Sequence, residues 1–142
     1  MGKILIVEDD ECIRESLCQI ISSIDSKLEI FGTGSAEKAL SIAKENIIDV
    51  FILDIQLEDY SGLDLAVKLR NTIRYVLTPI VFMSAAVARE FEAYRQIHCY
   101  SFIHKPVKWD ELMEVLVTLI THSIYKVEES LTLKLQNNSI VY

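Results

Sequence analysis

The 142-residue sequence has no uncharged apolar stretch that approaches the ~20 residues a membrane-spanning helix needs. Met1 leads through Gly2 and Lys3 into an apolar run of only four residues, so the long apolar segment of a secretory leader is missing as well. The expectation is a soluble, cytoplasmic protein with no membrane partner. Cations are scarce: 14 Lys and Arg stand against 21 Asp and Glu, for a formal net charge of -7. A surface of that balance does not attract phosphate backbones or anionic lipid, and this segment alone is not expected to grip DNA. The three cysteines, Cys12, Cys18 and Cys99, are an odd count without metal-ligand spacing, which suggests reduced thiols in a core. There is no internal repeat and no low-complexity tract. What remains is a chain that is 51% hydrophobic, long enough for one sizeable core and too short for two full domains.

Short apolar runs recur along it: ILIV at Ile4 to Val7, VFIL at Val50 to Leu53, IVFM at Ile80 to Met83, and a weaker YSFIH at Tyr100 to His104. Runs without alternation predict strands buried on both faces, as in a parallel sheet. KLEIF, at Lys27 to Phe31, supplies a fifth strand. Amphipathic segments separate them at Glu11 to Ile24, Ser35 to Glu45, Gly62 to Thr72, Val87 to Gln96 and Lys108 to His122. Five β-then-α units in succession predict a doubly wound, flavodoxin-like α/β fold: a five-stranded parallel sheet of order 2-1-3-4-5 flanked by five helices.

In such a sheet ligands bind beyond the carboxyl ends of the strands, so the residues that end each apolar run carry the information. Glu8, Asp9 and Asp10 follow the first run, Asp54 the third strand, Ser84 the fourth, and Lys105 with Pro106 the fifth. Carboxylates, a hydroxyl and an ammonium therefore converge on one sheet edge. Two like charges about 4 Å apart repel by roughly 4 kcal/mol at an effective dielectric near 20, which calls for a bound cation. An all-oxygen set with room for water and a phosphate suits Mg²⁺, whereas no His or Cys follows these strands to favour zinc. With the charge neutralised, a carboxylate can act as nucleophile toward a phosphoryl group, and Ser84 and Lys105 can contact its oxygens.

The segments KILIVEDD, DVFILDIQLEDYSGLDL, PIVFMSA and FIHKPV together resemble the receiver domains of two-component response regulators, from Lys3 to His122. The resemblance implies that Glu8 and Asp9 hold Mg²⁺ with Asp54 and the backbone carbonyl of Gln56, and that Asp54 is phosphorylated by a sensor histidine kinase. It implies that Ser84 and Lys105 contact the phosphoryl group and that Phe102 turns inward as Ser84 moves, the pair forming the switch. Gly62 matches the family's loop glycine. Glu58 departs from a frequent proline, and His98 from a usual glycine. Gln56 and Ala86 stand where the family tunes the lifetime of the phosphoryl group. Such a chain catalyses only its own phosphorylation and dephosphorylation.

Each residue also has a plainer role. Glu8, Asp9 and Asp10 could be acids at a helix N-terminus, Asp54 and Ser84 turn residues, Lys105 a surface cation and Phe102 core; Asp10 keeps that plainer role, and His104 and His122 are read as surface or packing residues. A degenerate receiver would lack an acid, the acceptor or the lysine, and none is missing. A small-molecule phosphatase would want a second acid just after the nucleophile, where Ile55 and Gln56 stand. A flavin-binding protein would want a phosphate-cradling loop after the first strand, not an acidic one.

Residues 1–122 are thus expected to form the receiver, and residues 123–142 a linker and the start of an effector domain. Leu131, Leu133 and Leu135 alternate before a polar Gln136 to Ser139 turn and Ile140-Val141, a β-hairpin pattern that resembles the opening strands of a winged-helix DNA-binding domain. Binding to DNA would then run through a domain beyond this chain, and the alternative is a single-domain receiver acting on protein partners. Winged-helix members suggest a phosphorylation-dependent homodimer through the fourth and fifth helices, although Thr118, Thr121 and His122 stand where arginines usually pair across the axis.

Overall fold

The computed structural model describes residues 2–125. Five strands, β1 (Lys3–Val7), β2 (Glu29–Thr33), β3 (Val50–Leu53), β4 (Ile80–Ser84) and β5 (Ser101–His104), form one all-parallel sheet of order 2-1-3-4-5. Between and after them lie α1 (Glu11–Ile24), α2 (Ala36–Glu45), α3 (Gly62–Arg70), α4 (Glu90–Glu92) and α5 (Trp109–Ile120). The alternation of side chains along each strand divides the interior in two. Leu5, Val7, Phe51, Leu53, Ile80 and Phe82 face α2, α3 and the α4 region. Ile4, Ile6, Val50, Ile52, Val81 and Met83 face Leu17 and Ile21 of α1 and Leu112, Leu116 and Leu119 of α5. β1, β3 and β4 are buried throughout except at Lys3, as the unbroken apolar runs predict.

Polar residues set the helix starts. Asp10 caps α1 by accepting from the amides of Cys12 and Ile13, Ser35 caps α2 at Lys38, and Ser61 caps α3 at Leu63. Asp10 therefore has the plain capping role expected of it. The second strand starts two residues later than Lys27, because Asp25 holds a turn: its carboxylate accepts from the Lys27 amide at 2.9 Å. The fourth helical segment is composite, a 3-10 turn at Val87–Arg89, α4, and a π turn at Ala93–Ile97, closed by His98 in the left-handed region at φ 55. That left-handed residue explains why glycine is usual at this place. Helical turns continue past α5 to Tyr125, with Ile124 buried against Gly2 and Leu28.

The cysteines correct an expectation. Cys99 is buried, but Cys12 is exposed at the solvent side of α1 and Cys18 is only half-buried, because the helix turns its core stripe along Leu17 and Ile21 instead. Among the described residues no helix is long and apolar enough to cross a membrane.

Candidate functional site

The sheet ladder runs on into the residues that end the strands. Val7 pairs with Leu53, the Asp54 amide donates to the Val7 carbonyl at 2.9 Å, and the Glu8 amide to the Thr33 carbonyl at 2.9 Å. On the other side the Lys105 amide donates to the Ser84 carbonyl at 3.0 Å. Backbone hydrogen bonds thus fix the level at which Glu8, Asp54, Ser84 and Lys105 leave the sheet.

The side chains of Glu8, Asp54 and Lys105 meet. The Lys105 ammonium donates to Glu8 Oε1 at 2.5 Å and to Asp54 Oδ2 at 2.7 Å, bridging residues 97 and 51 positions away in sequence. The other Asp54 oxygen, Oδ1, accepts from the Gln56 amide at 3.0 Å, so both carboxylate oxygens are held. Glu8 and Asp54 are buried, while Asp9 is exposed at the mouth. Ser84 is fully buried and its Oγ accepts from the Ala86 amide at 3.1 Å. The Lys105-Pro106 peptide bond is cis.

The electrostatics follow from burial. Loss of water pushes the Glu8 carboxyl up to about 7, and the neighbouring Asp54 charge adds to this, together outweighing the hydrogen bond from Lys105. Burial by itself would lower Lys105, but its hydrogen bonds to Asp54 and Glu8 and their charges raise it instead. Ligand atoms of Glu8, Asp9 and Asp54 lie within 4.8 Å of one another. Against three carboxylates, Lys105 is the one cation in ion-pair contact among the described residues. A cluster of oxygen donors with that shortage of positive charge fits a hard divalent cation, coordinated by few protein ligands and completed by water.

Phe102 is buried, its ring 6.1 Å from Phe82 and 5.5 Å from His104, and its amide donates to the Tyr94 hydroxyl at 3.1 Å. It stands inward here. His104, read as a surface or packing residue, is exposed and pairs with Glu90 at 2.9 Å. Gly62 has a reason to be glycine: a Cβ there would overlap the Asp54 carbonyl oxygen, and its amide donates to the Ile55 carbonyl at 2.7 Å.

A family model described as "Response regulator receiver domain" matches residues 4–117. The chain is a response regulator receiver domain. It is 30% identical over 114 residues to the polar-differentiation response regulator DivK of Brucella ovis, covering 80% of this chain and 91% of that protein. Likeness to the probable transcriptional regulator ycf29 of Pyropia yezoensis is 24% over 125 residues, covering 87% of this chain and 55% of the relative. Among solved structures, the non-phosphorylated HemR receiver domain of Leptospira biflexa superposes with a TM-score of 0.75 at 27% identity, covering 85% of this chain and 95% of that one. Receiver domains work in phosphorylation-dependent signalling with histidine kinases, and bind a divalent metal in an acidic pocket such as this one.

The structure brings together Glu8, Asp9, Asp54 and Lys105, while Gln56 touches Asp54 through its amide. Two residues of the surroundings escape sequence reasoning. Asp59, in the loop after Asp54, accepts from Ser35 Oγ and from the amides of Ala36 and Glu37. Arg70 donates to the carbonyls of Tyr75, Thr78, Ile97 and His98, tying α3 to two loops. Neither lies at a strand exit, and their partners are 5 to 28 residues away. Only the fold brings them together.

Proposed function

We propose that this receiver is a Mg²⁺-dependent phosphorylation switch whose acceptor is Asp54. The observation that carries the reading is the Lys105 ammonium held between Glu8 and Asp54 at the exits of three strands, with Asp9 alongside. Glu8, Asp9, Asp54 and the Gln56 carbonyl would hold the ion. When bound, it supplies positive charge that offsets the carboxylates and the incoming phosphoryl oxygens.

Asp54 acts as nucleophile. One of its carboxylate oxygens forms a bond to the phosphorus of a kinase phosphohistidine, the phosphorus–nitrogen bond breaks, and the electron pair returns to the imidazole, leaving an aspartyl phosphate. Lys105 is already charged at the acceptor and needs only to turn its N–H groups from carboxylate to phosphoryl oxygen. Ser84 donates its hydroxyl to a second oxygen. The added charge of about -1.5 to -2 biases the surface of α4, β5 and α5, where Phe91, Tyr94, Tyr100 and Trp109 are exposed and where Tyr94 accepts from the Phe102 amide.

The match spans 91% of DivK, which leaves little length there for an attached output domain and supports the single-domain reading for this chain. The transcriptional output expected from residues 130–142, and the hairpin itself, lie outside the described residues; the ycf29 likeness is what favours that second reading. Intact-mass measurement after incubation with acetyl phosphate and Mg²⁺ tests the acceptor. Wild type gains one phosphoryl group and Asp54→Asn gains none. Full labelling of a folded Asp54→Asn protein sinks the assignment.

A further inference from the structure

The loop between Asp54 and α3 carries Gln56 and is closed at its base by a bridge between Gln56 and Ser61 and by the Gly62 amide on the Ile55 carbonyl. Its tip, at Glu58 and Asp59, is exposed. The frequent proline, which would stiffen this tip by fixing φ, is replaced by Glu58. The Asp59 carboxylate instead reaches across to the start of α2, where it accepts from Ser35 Oγ at 3.0 Å, the Ala36 amide at 3.1 Å and the Glu37 amide at 3.4 Å. Ser35 and Gly34 also border Asp9: a Cβ on Gly34 would lie 3.2 Å from Asp9 Cα. One shallow cleft is lined by Asp9, Thr33, Ser35, Lys38, Glu58 and Asp59.

We propose that Asp59 is a positioning residue for phosphoryl acceptance: by clamping the Gln56–Ser61 loop to the N-terminal turn of α2, it fixes the Gln56 backbone relative to Asp54 and Asp9. The inference rests on the phosphoacceptor reading above. Asp59 makes none of its contacts with the reacting groups and acts only through the loop. The clamp is anchored at both ends by backbone, because two of its three donors are amides of a ten-residue helix and its own carbonyl chain lies three residues from Gln56. A freed loop would let the Gln56 backbone, held now by its amide on Asp54 Oδ1, drift relative to the acidic cluster, and the binding of Mg²⁺ would weaken before the nucleophile itself is harmed.

The test uses the full chain and two readouts, Mg²⁺ binding by calorimetry without any phosphodonor and the rate of labelling by acetyl phosphate as Mg²⁺ is varied. Asp59→Ala should weaken Mg²⁺ about tenfold, the lower end of what loss of an outer-shell partner does to metal affinity. Its labelling rate should fall at low Mg²⁺ and recover at saturating Mg²⁺. Asp59→Asn keeps one acceptor oxygen, enough for the Ala36 amide, without the charge, and should restore part of the affinity. Ala43→Gly, which loosens the same helix away from the loop, should leave Mg²⁺ affinity unchanged. The proposal is overturned if Asp59→Ala binds Mg²⁺ like wild type, if Ala43→Gly weakens it equally, or if Asp59→Asn is as weak as Asp59→Ala, which would make charge the cause. Failure of wild type to be labelled at all would instead overturn the underlying acceptor reading, and the inference with it.

Discussion

Glu8→Gln should make the metal-free protein more stable at neutral pH, although it removes one of the two negative charges that Lys105 bridges. The folded chain holds the Glu8 proton up to about pH 7, whereas the ordinary value is 4.5. Because the folded state binds more protons between those values, stability falls as pH rises through that window and levels off above it. At 1.36 kcal/mol per pH unit, the cost of ionising Glu8 in the folded state is roughly 3 kcal/mol at pH 8. Glutamine keeps the side-chain length and an acceptor oxygen for Lys105 but has nothing to ionise. The attraction to Lys105 is already contained in that shift, so the gain approaches the same roughly 3 kcal/mol, which for a domain of this size is a rise of roughly 10 °C in Tm. Urea titrations of both proteins in chelator at pH 5 and pH 8 measure this directly. Wild type should lose stability between the two values, and the variant should change less. Saturating Mg²⁺, which binds the ionised form, should reverse the order at pH 8. A wild type equally stable at both pH values, or a Glu8→Gln protein that is the weaker one at pH 8 in chelator, would refute the assignment of a strained buried carboxylate.

Other substitutions probe the frame around the site. Asp9→Ala should abolish the Mg²⁺-dependent rise in Tm while leaving the metal-free fold intact, and an undiminished rise would remove Asp9 from the ligand set. The Tyr75 hydroxyl, buried, reaches the carbonyls of Ala43 and Asn46 and accepts from the Ile48 amide. Tyr75→Phe strands these groups and should cost about 2 kcal/mol in denaturant titration. Arg70→Met leaves four carbonyls without their donor; a loss of roughly 3 kcal/mol is expected, with faster amide exchange around His98 as the check on where the damage lies.

What could be read from the sequence was whatever depends on runs. The unbroken apolar segments named the strands, since burial on both faces leaves no alternation, and the parallel order then made the carboxyl ends the place to look. Glu8, Asp54 and Lys105 were found because each directly follows such a run. The fourth helical segment was legible in its extent, Val87 to Gln96 against the helical turns of Val87 to Ile97, but its composite make-up was not, because the change of helical pitch has no periodic mark. Arg70 and Asp59 were invisible for a different reason. Each serves backbone groups on distant segments, and backbone groups have no residue type to betray them.

The plainer roles weighed against the chemical ones did not lose to them. Asp54 does cap a turn, through Oδ1 on the Gln56 amide, and Ser84 does the same for Ala86. These are the interactions that an inert turn residue would make, and on the proposed function they also orient the acceptor and the hydroxyl beside it. With Oδ1 tied to Gln56, the Asp54 carboxylate has one rotational setting, and in that setting Oδ2 meets the Lys105 ammonium. If Asp54 is the acceptor proposed above, a turn-forming hydrogen bond supplies its preorganisation at no further conformational cost to the chain. Local structure at each strand exit therefore supports the chemistry. What separates the functional reading from the plain one is the single contact that no local role requires: an ammonium from the exit of β5 placed between carboxylates from the exits of β1 and β3.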